Sequence, residues 1–308
     1  MAINTYKIVD TLWGWISKMS FRKMYYLSDF IFFLLYHVFR YRRKLVRKNL
    51  QDSFPERKEK EIKDIERKFY HHFCDYIVET IKTRDIDEKR IQKHIRFDNT
   101  EILYNYLSQK KSVVMYLSHS FNWEWVTALN LLSTDENVCY GQIYHPLTNP
   151  VFDKLFYELR TKYGSQNMSM KTTLRSIMKI LQEGKCYAIG FIADQVPYWE
   201  AIDHWITFLN HKDTPVFGGG EKIARRTNAA AIFISVHKES RGHYVATIHD
   251  LTSDAKSLPE HQLTEMYFKK IEEFLNEHPE NWLWAHRRWK RTRAMYEKWQ
   301  QDNIKIRG

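Results

Sequence analysis

An α/β fold is predicted: a mostly parallel central sheet flanked by helices on both faces, preceded by an N-terminal helical segment that associates with a membrane. Three observations predict it. From residue 112 onward, short uninterrupted apolar runs alternate with stretches of helical spacing, the pattern of strands buried on both faces. Before that point the spacing is helical throughout. One apolar, aromatic run near the start is followed at once by a cluster of cations.

That run is "LSDFIFFLLYHVF", residues 27–39, interrupted by Asp29 and His37. Crossing a bilayer takes roughly 20 apolar residues, so this run is expected to lie in the membrane interface. Trp13, Trp15, Tyr25 and Tyr26 precede it, and Arg40, Arg42, Arg43, Lys44, Arg47 and Lys48 follow. Cations near an anionic cytoplasmic leaflet each contribute about 1 kcal/mol of attraction. A core helix followed by a solvated basic turn is the alternative. The start of the chain lacks the features of a cleavable signal peptide, and the division expected is a membrane-associating segment over 1–50 and an α/β body over 51–308.

Residues 56–84 carry Ile62, Ile65, Phe69, Phe73, Tyr76, Ile77 and Ile81 at three- and four-residue steps, which predicts a helix. Strands follow at 112–118, 137–144, 186–193, 229–237 and 243–250. Helices are predicted at 122–133, 149–163, 171–183, 217–227 and 259–277.

Composition narrows the function. Of 308 residues 44% are hydrophobic, and 10 Trp, 19 Tyr and 18 Phe exclude disordered and collagen-like classes. A net charge of +11 draws anionic partners: nucleic acid, acidic headgroups, phosphorylated sugars or an acidic carrier protein. Cys74, Cys139 and Cys186 are too few and too scattered for a disulfide framework or a zinc site, which points to a reducing compartment.

In open α/β sheets ligands bind beyond the carboxyl ends of strands. His119 follows strand 112–118 and Asp194 follows strand 186–193, so the two converge on one edge. In "SHSFNWEW", His119 and Glu124 are five apart; on a regular helix they would point about 140° away from one another, because each residue turns roughly 100°. With His119 in the turn and Glu124 in the first helical turn, the carboxylate would hold one ring nitrogen and leave the other free as a base. A strand-end histidine beside a solvent-facing glutamate stays open as the other reading. Ser118 and Ser120 flank the histidine, but no G-x-S-x-G elbow exists to make a hydrolase triad. Asp194 and Gln195 in "FIADQVP" are either site residues or a cap. "ENWLWAHRRWKR" sets Trp282, Trp284 and Trp289 among cations that can bind phosphate or carboxylate, or that form a plain basic helix.

Seven segments in order, among them "NLQDSFPE", "SHSFNWEW", "TTLRSIMKILQEGK", "IADQVP" and "PENWLWAHRRWK", resemble the bacterial lipid A biosynthesis acyltransferases, the lauroyl and myristoyl transferases. The resemblance covers most of the chain. It implies an enzyme at the cytoplasmic face of the inner membrane that moves a fatty acyl group from a thioester, usually on acyl carrier protein, to a hydroxyl of a lipid acceptor. It implies no metal, no cofactor beyond the acyl thioester as co-substrate, and no nucleic acid. His119 would be the base and Glu124 its orienting partner. Asn122, His145, Arg160, Arg175, Asp194, Gln195, His286, Arg287 and Arg288 would bind substrates. The chain departs from the family with Phe121 where glycine is common and His145 where arginine is common. A neutral imidazole does not hold phosphate as a guanidinium does, which brings in aminolipids and phospholipids as alternative acceptors. A nucleic-acid-binding module is the alternative from another class.

Overall fold

Each central strand is apolar on both sides because helices cover both sides. The structure is a computed structural model describing residues 2–133 and 135–307. Its first third is helical: α1 (Ala2–Ser17), α2 (Phe21–Phe32) continuing as a wider π-helical stretch (Phe33–Val38), α3 (Arg43–Ser53), α4 (Glu59–Lys82) and the single turn α5 (Glu88–Ile91). Then come β1 (Ile95–Asp98), α6 (Thr100–Ser108), β2 (Val113–Leu117), a 3₁₀ segment (Trp123–Leu132), β3 (Val138–Tyr144) and α7 (Pro150–Thr161). They are followed by β4 (Gln166–Ser169), α8 (Thr173–Gln182) and β5 (Cys186–Ile192). A hairpin of β6 (His204–Phe208) and β7 (His211–Val216) precedes α9 (Gly219–Thr227), β8 (Ala230–Ser240) and β9 (His243–Thr252). The last helices are α10 (Gln262–Glu277) and α11 (Arg293–Arg307).

The seven-stranded sheet has the order β1-β9-β8-β2-β5-β3-β4. Its five strands from β8 to β4 are mutually parallel, whereas β9 returns antiparallel to β8 with β1 parallel to β9. The expected mostly parallel sheet is thus present. Alternation along β2 divides the core: Val113, Met115 and Leu117 pack with Leu103 and Leu107 of α6 and with Trp125 and Leu129 of the 3₁₀ segment. Val114 and Tyr116 face Ile177 of α8, Ala224 of α9 and Tyr267 of α10.

Several features differ from the sequence expectation, α11 (Arg293–Arg307) among them, since the last helix was expected at 259–277. Residues 123–132 form a 3₁₀ segment rather than an α-helix; "WEWVTALNLL" buries Trp123, Glu124, Trp125, Val126, Ala128 and Leu129 and so lacks a single apolar stripe. β1, β4 and the β6–β7 hairpin went unforeseen, being short and mixed in polarity. Residues 280–291 are not helical but a series of bends and turns.

The N-terminal helices pack on the body. The Trp13 indole donates to the Ile81 carbonyl at 3.0 Å, and Ser28 donates to Asp75 at 2.7 Å. α2 buries Met24, Ser28 and Phe32 and turns Tyr26 and Phe30 outward, as the π-helical stretch does Phe33, while α1 exposes Ile8, Leu12 and Trp15, the last at 73%. No described helix is long and apolar enough to cross a membrane. Of the six cations after the apolar run, Arg43 and Arg47 both bind the buried Glu66, Arg42 donates to the Ala285 carbonyl and Lys48 pairs with Asp52. Glu66 is fully buried and needs countercharge, which draws two arginines inward and leaves fewer free than the sequence suggested.

Candidate active site

The parallel pairing of β2 and β5 builds the centre. Leu117 is in register with Ile192, and neighbouring strands lie about 4.8 Å apart. His119 and Asp194 each stand two residues beyond that pair, so the pairing itself brings them together. His119 Nδ1 lies 2.6 Å from Asp194 Oδ1, and the His119 main-chain N–H donates to Oδ2 at 2.8 Å. The Trp282 indole donates to the same Oδ2 at 2.6 Å. Tyr267 ties the two strand ends, donating to the Leu117 carbonyl at 2.6 Å and accepting from the Ala193 N–H at 3.3 Å.

Asp194 is completely buried. Burial pushes its carboxyl up, but the charge and hydrogen bonds of His119 and the Trp282 N–H outweigh burial and hold it below the usual carboxylate range. An ionised carboxylate only accepts, so the Nδ1 facing Asp194 carries a ring hydrogen, and in the neutral ring the lone pair falls to Nε2. The imidazole is 20% exposed, meets the Trp123 ring edge-on at 5.1 Å and borders a cavity of about 450 Å³. Apolar groups line most of that cavity, among them Met115, Leu117, Val126, Leu129, Tyr140 and Ile192. Its wall includes Gly190, where a Cβ would come within 3.3 Å of Leu117 Cδ1, so the absence of a side chain keeps space open over the sheet.

Glu124 does not hold His119. Its buried carboxylate takes a two-point clasp from Arg160 of α7, Nε to Oε2 at 2.9 Å and Nη2 to Oε1 at 2.6 Å, plus the Trp123 indole at 3.2 Å. A permanent, forked cation is a stronger partner for a buried carboxylate than a neutral imidazole, and Asp194 already occupies the ring. Both members of the clasp line the cavity beside His119.

Gln195 and His145 also line the cavity, with His145 Nδ1 2.8 Å from the Pro146 carbonyl and Nε2 3.3 Å from the Tyr198 hydroxyl. The other expected substrate-binding residues are not brought to the cavity wall. Asn122 is buried and donates to Glu79 on α4 at 3.2 Å, because the chain before the 3₁₀ segment turns it toward the helical layer. Arg175 is exposed on α8 and Arg287 is exposed on the C-terminal segment. Arg288 is fully buried, donating to the Pro215 carbonyl at 2.7 Å over the Phe268 ring. The His286 imidazole is pushed down to about 4, first by burial and then by the charge of His119.

Trp282 was missed as a site residue. The signal was available: a buried indole N–H requires an acceptor, and three tryptophans stood in one segment. Trp284 satisfies its own on the Pro279 carbonyl at 2.6 Å, and Asn49 of α3 donates to the Trp284 carbonyl at 2.9 Å. The C-terminal motif therefore braces the site from behind.

An oriented imidazole at the mouth of an apolar cavity, on the carboxyl edge of a parallel sheet, defines an enzyme acting on a substrate with an apolar part. The sequence matches the bacterial lipid A biosynthesis acyltransferase family over residues 3–291, and the chain belongs to that family. It is similar to lipid A biosynthesis acyltransferase 2 of Shigella flexneri, 21% identical over 240 residues, covering 77% of this chain and 74% of the relative. The protein is an acyltransferase.

Proposed function

We propose that the chain moves a fatty acyl group from an acyl thioester to a hydroxyl of a lipid acceptor, with His119 as general base and Asp194 as its orienting carboxylate. The observation that carries this reading is the 2.6 Å contact between His119 Nδ1 and Asp194 at the rim of the apolar cavity. The acceptor oxygen attacks the thioester carbonyl carbon while its proton passes to Nε2. Collapse of the tetrahedral adduct breaks the carbon–sulfur bond, and the imidazolium proton goes to the departing thiolate. Transfer is direct, with no acyl-enzyme. The acyl tail occupies the space over Gly190, where each buried methylene adds about 0.8 kcal/mol.

The donor is acyl carrier protein and the acceptor a lipid A precursor, the substrate class in the relative's name. His145 at the cavity, in place of a guanidinium, favours an acceptor group that is less phosphate-rich. Residues 1–50 seat the enzyme on the cytoplasmic face of the inner membrane, supported by the outward apolar stripes Ile8, Leu12, Trp15 and Tyr26, Phe30, Phe33. His119→Ala is the test, in purified full-length protein given an acyl thioester and extracted lipid. Loss of about 10² to 10⁴ in transfer rate is expected from removing a positioned base, with the melting temperature kept. Undiminished transfer would eliminate this mechanism.

A further inference from the structure

We infer that the exposed face of α8 is the docking surface for an acidic carrier protein presenting the acyl thioester; this rests on the acyl-transfer reading above. α8 borders the cavity, since Thr173 at its start and Met170 in the turn before it lie in the wall. Lys171 in that turn and Arg175 and Lys179 on the helix are all exposed, and the last two, four residues apart, stack on one helical face. Residues 171–182 contain no acid; the next is Glu183, 3.9 Å from Lys179. Lys171 and Arg175 have no carboxylate within 4.0 Å among the described residues.

Several other cations near the cavity are already matched. Lys222 and Arg225 of α9 face Asp203 and Glu221, and Arg160 is clasped by Glu124. Lys171 and Arg175, which have no such partner among the described residues, leave unbalanced positive charge at the start of α8 beside the cavity. It attracts an acidic partner over roughly 10 Å at 0.1 M salt and orients the encounter so that a thioester arm meets the cavity.

The face fits a protein better than a bilayer. A lipid-seated helix buries apolar bulk, yet α8 and the turn before it expose only Leu174, at 37%, and Met170, at 41%, among their large apolar side chains, against Trp15 at 73% and Phe39 at 68% in the N-terminal region. The two surfaces divide the labour: apolar stripes for lipid, a basic stripe for a soluble acidic donor.

The experiment compares the wild-type full chain with a Lys171→Glu/Arg175→Glu double variant. Direct binding to a purified acidic acyl carrier protein is measured first, then transfer from its acyl thioester and from the small acyl-pantetheine thioester. At least a tenfold rise in Kd and in KM for the carrier substrate is expected, with kcat and acyl-pantetheine turnover unchanged. Carrier binding by the wild type, and not by the variant, should weaken as salt rises from about 50 to about 500 mM. Unchanged carrier affinity in the variant overturns the proposal. So does an equal loss with both thioesters, which would put these residues in the chemical site. So does loss of binding to phosphatidylglycerol vesicles with carrier affinity intact, which would give the stripe to lipid. Should the wild type transfer from neither thioester, the acyl-transfer reading fails, and the binding measurement still decides the docking surface alone.

Discussion

Two buried carboxylates stand at one cavity, and their surroundings give them opposite tasks. Asp194, at a strand end, is met by an imidazole, a main-chain N–H and an indole N–H, partners that keep it charged and fix the ring at the cavity rim. Glu124, in the 3₁₀ segment, is met by a guanidinium that matches its geometry at two points and neutralises it. The first carboxylate orients an imidazole that borders the cavity; the second joins α7 to the 3₁₀ segment and shapes the wall. Proximity in sequence to His119 favoured Glu124, but strand register decided for Asp194.

The sharpest way to break this contrast is to neutralise each carboxylate in turn. Asp194→Asn is expected to lower kcat by about 10⁴, the scale of losing the tautomer-fixing acid of a His-based site, whereas Glu124→Gln should cost far less, read from steady-state rates on both variants. Equal losses would abolish the distinction. Arg160→Met comes next: it strands the Glu124 charge, and an unpaired buried charge destabilises by about 3–5 kcal/mol. Chemical denaturation should show most of that recovered in Glu124→Gln/Arg160→Met; no recovery would mean that Arg160 acts on something other than Glu124.

The smallest effect concerns Trp282→Phe, which removes one donor to a charged acceptor, worth about 1.5–3 kcal/mol. A fall in kcat of about 10- to 100-fold is expected, with KM little changed. Asp194 titrates below the ordinary carboxylate range in the folded chain, so its stabilising contribution is present above that range and fades as pH falls through the lowered value. Without the indole donor that value rises, and the acid limb of the activity profile should move to higher pH. A merely structural tryptophan would lower stability and leave the limb where it was.

Much of the architecture was legible where physics is local. "SVVMYLS" and "CYAIGFIA" read as buried strands because nothing polar interrupts them, and the segments around Phe69, Leu155, Ile177 and Ile271 read as helices from their spacing. β1 "IRFD" and β4 "QNMS" were not legible, being four residues long and held by edge pairing that no local pattern announces. His119 was found from its place at a strand end, and Asp194 likewise. Their union was not legible, because only the Leu117–Ile192 register sets the two ends level. Glu124 was misassigned because Arg160 lies 36 positions away on another helix. The arginines of the C-terminal motif drew attention as ligand donors, while the structure spends Arg288 on a buried carbonyl and lets Trp282 reach the site.

Two of the bonds to Asp194 have a practical consequence. Asp194 is anchored partly by the amide of residue 119 and partly by Trp282, neither of which depends on the imidazole. Replacing the ring by a methyl group leaves two of the three tethers in place, so the inert variant should keep a native scaffold. With His119 as the proposed base, such a variant is expected to hold both reactants side by side without consuming either.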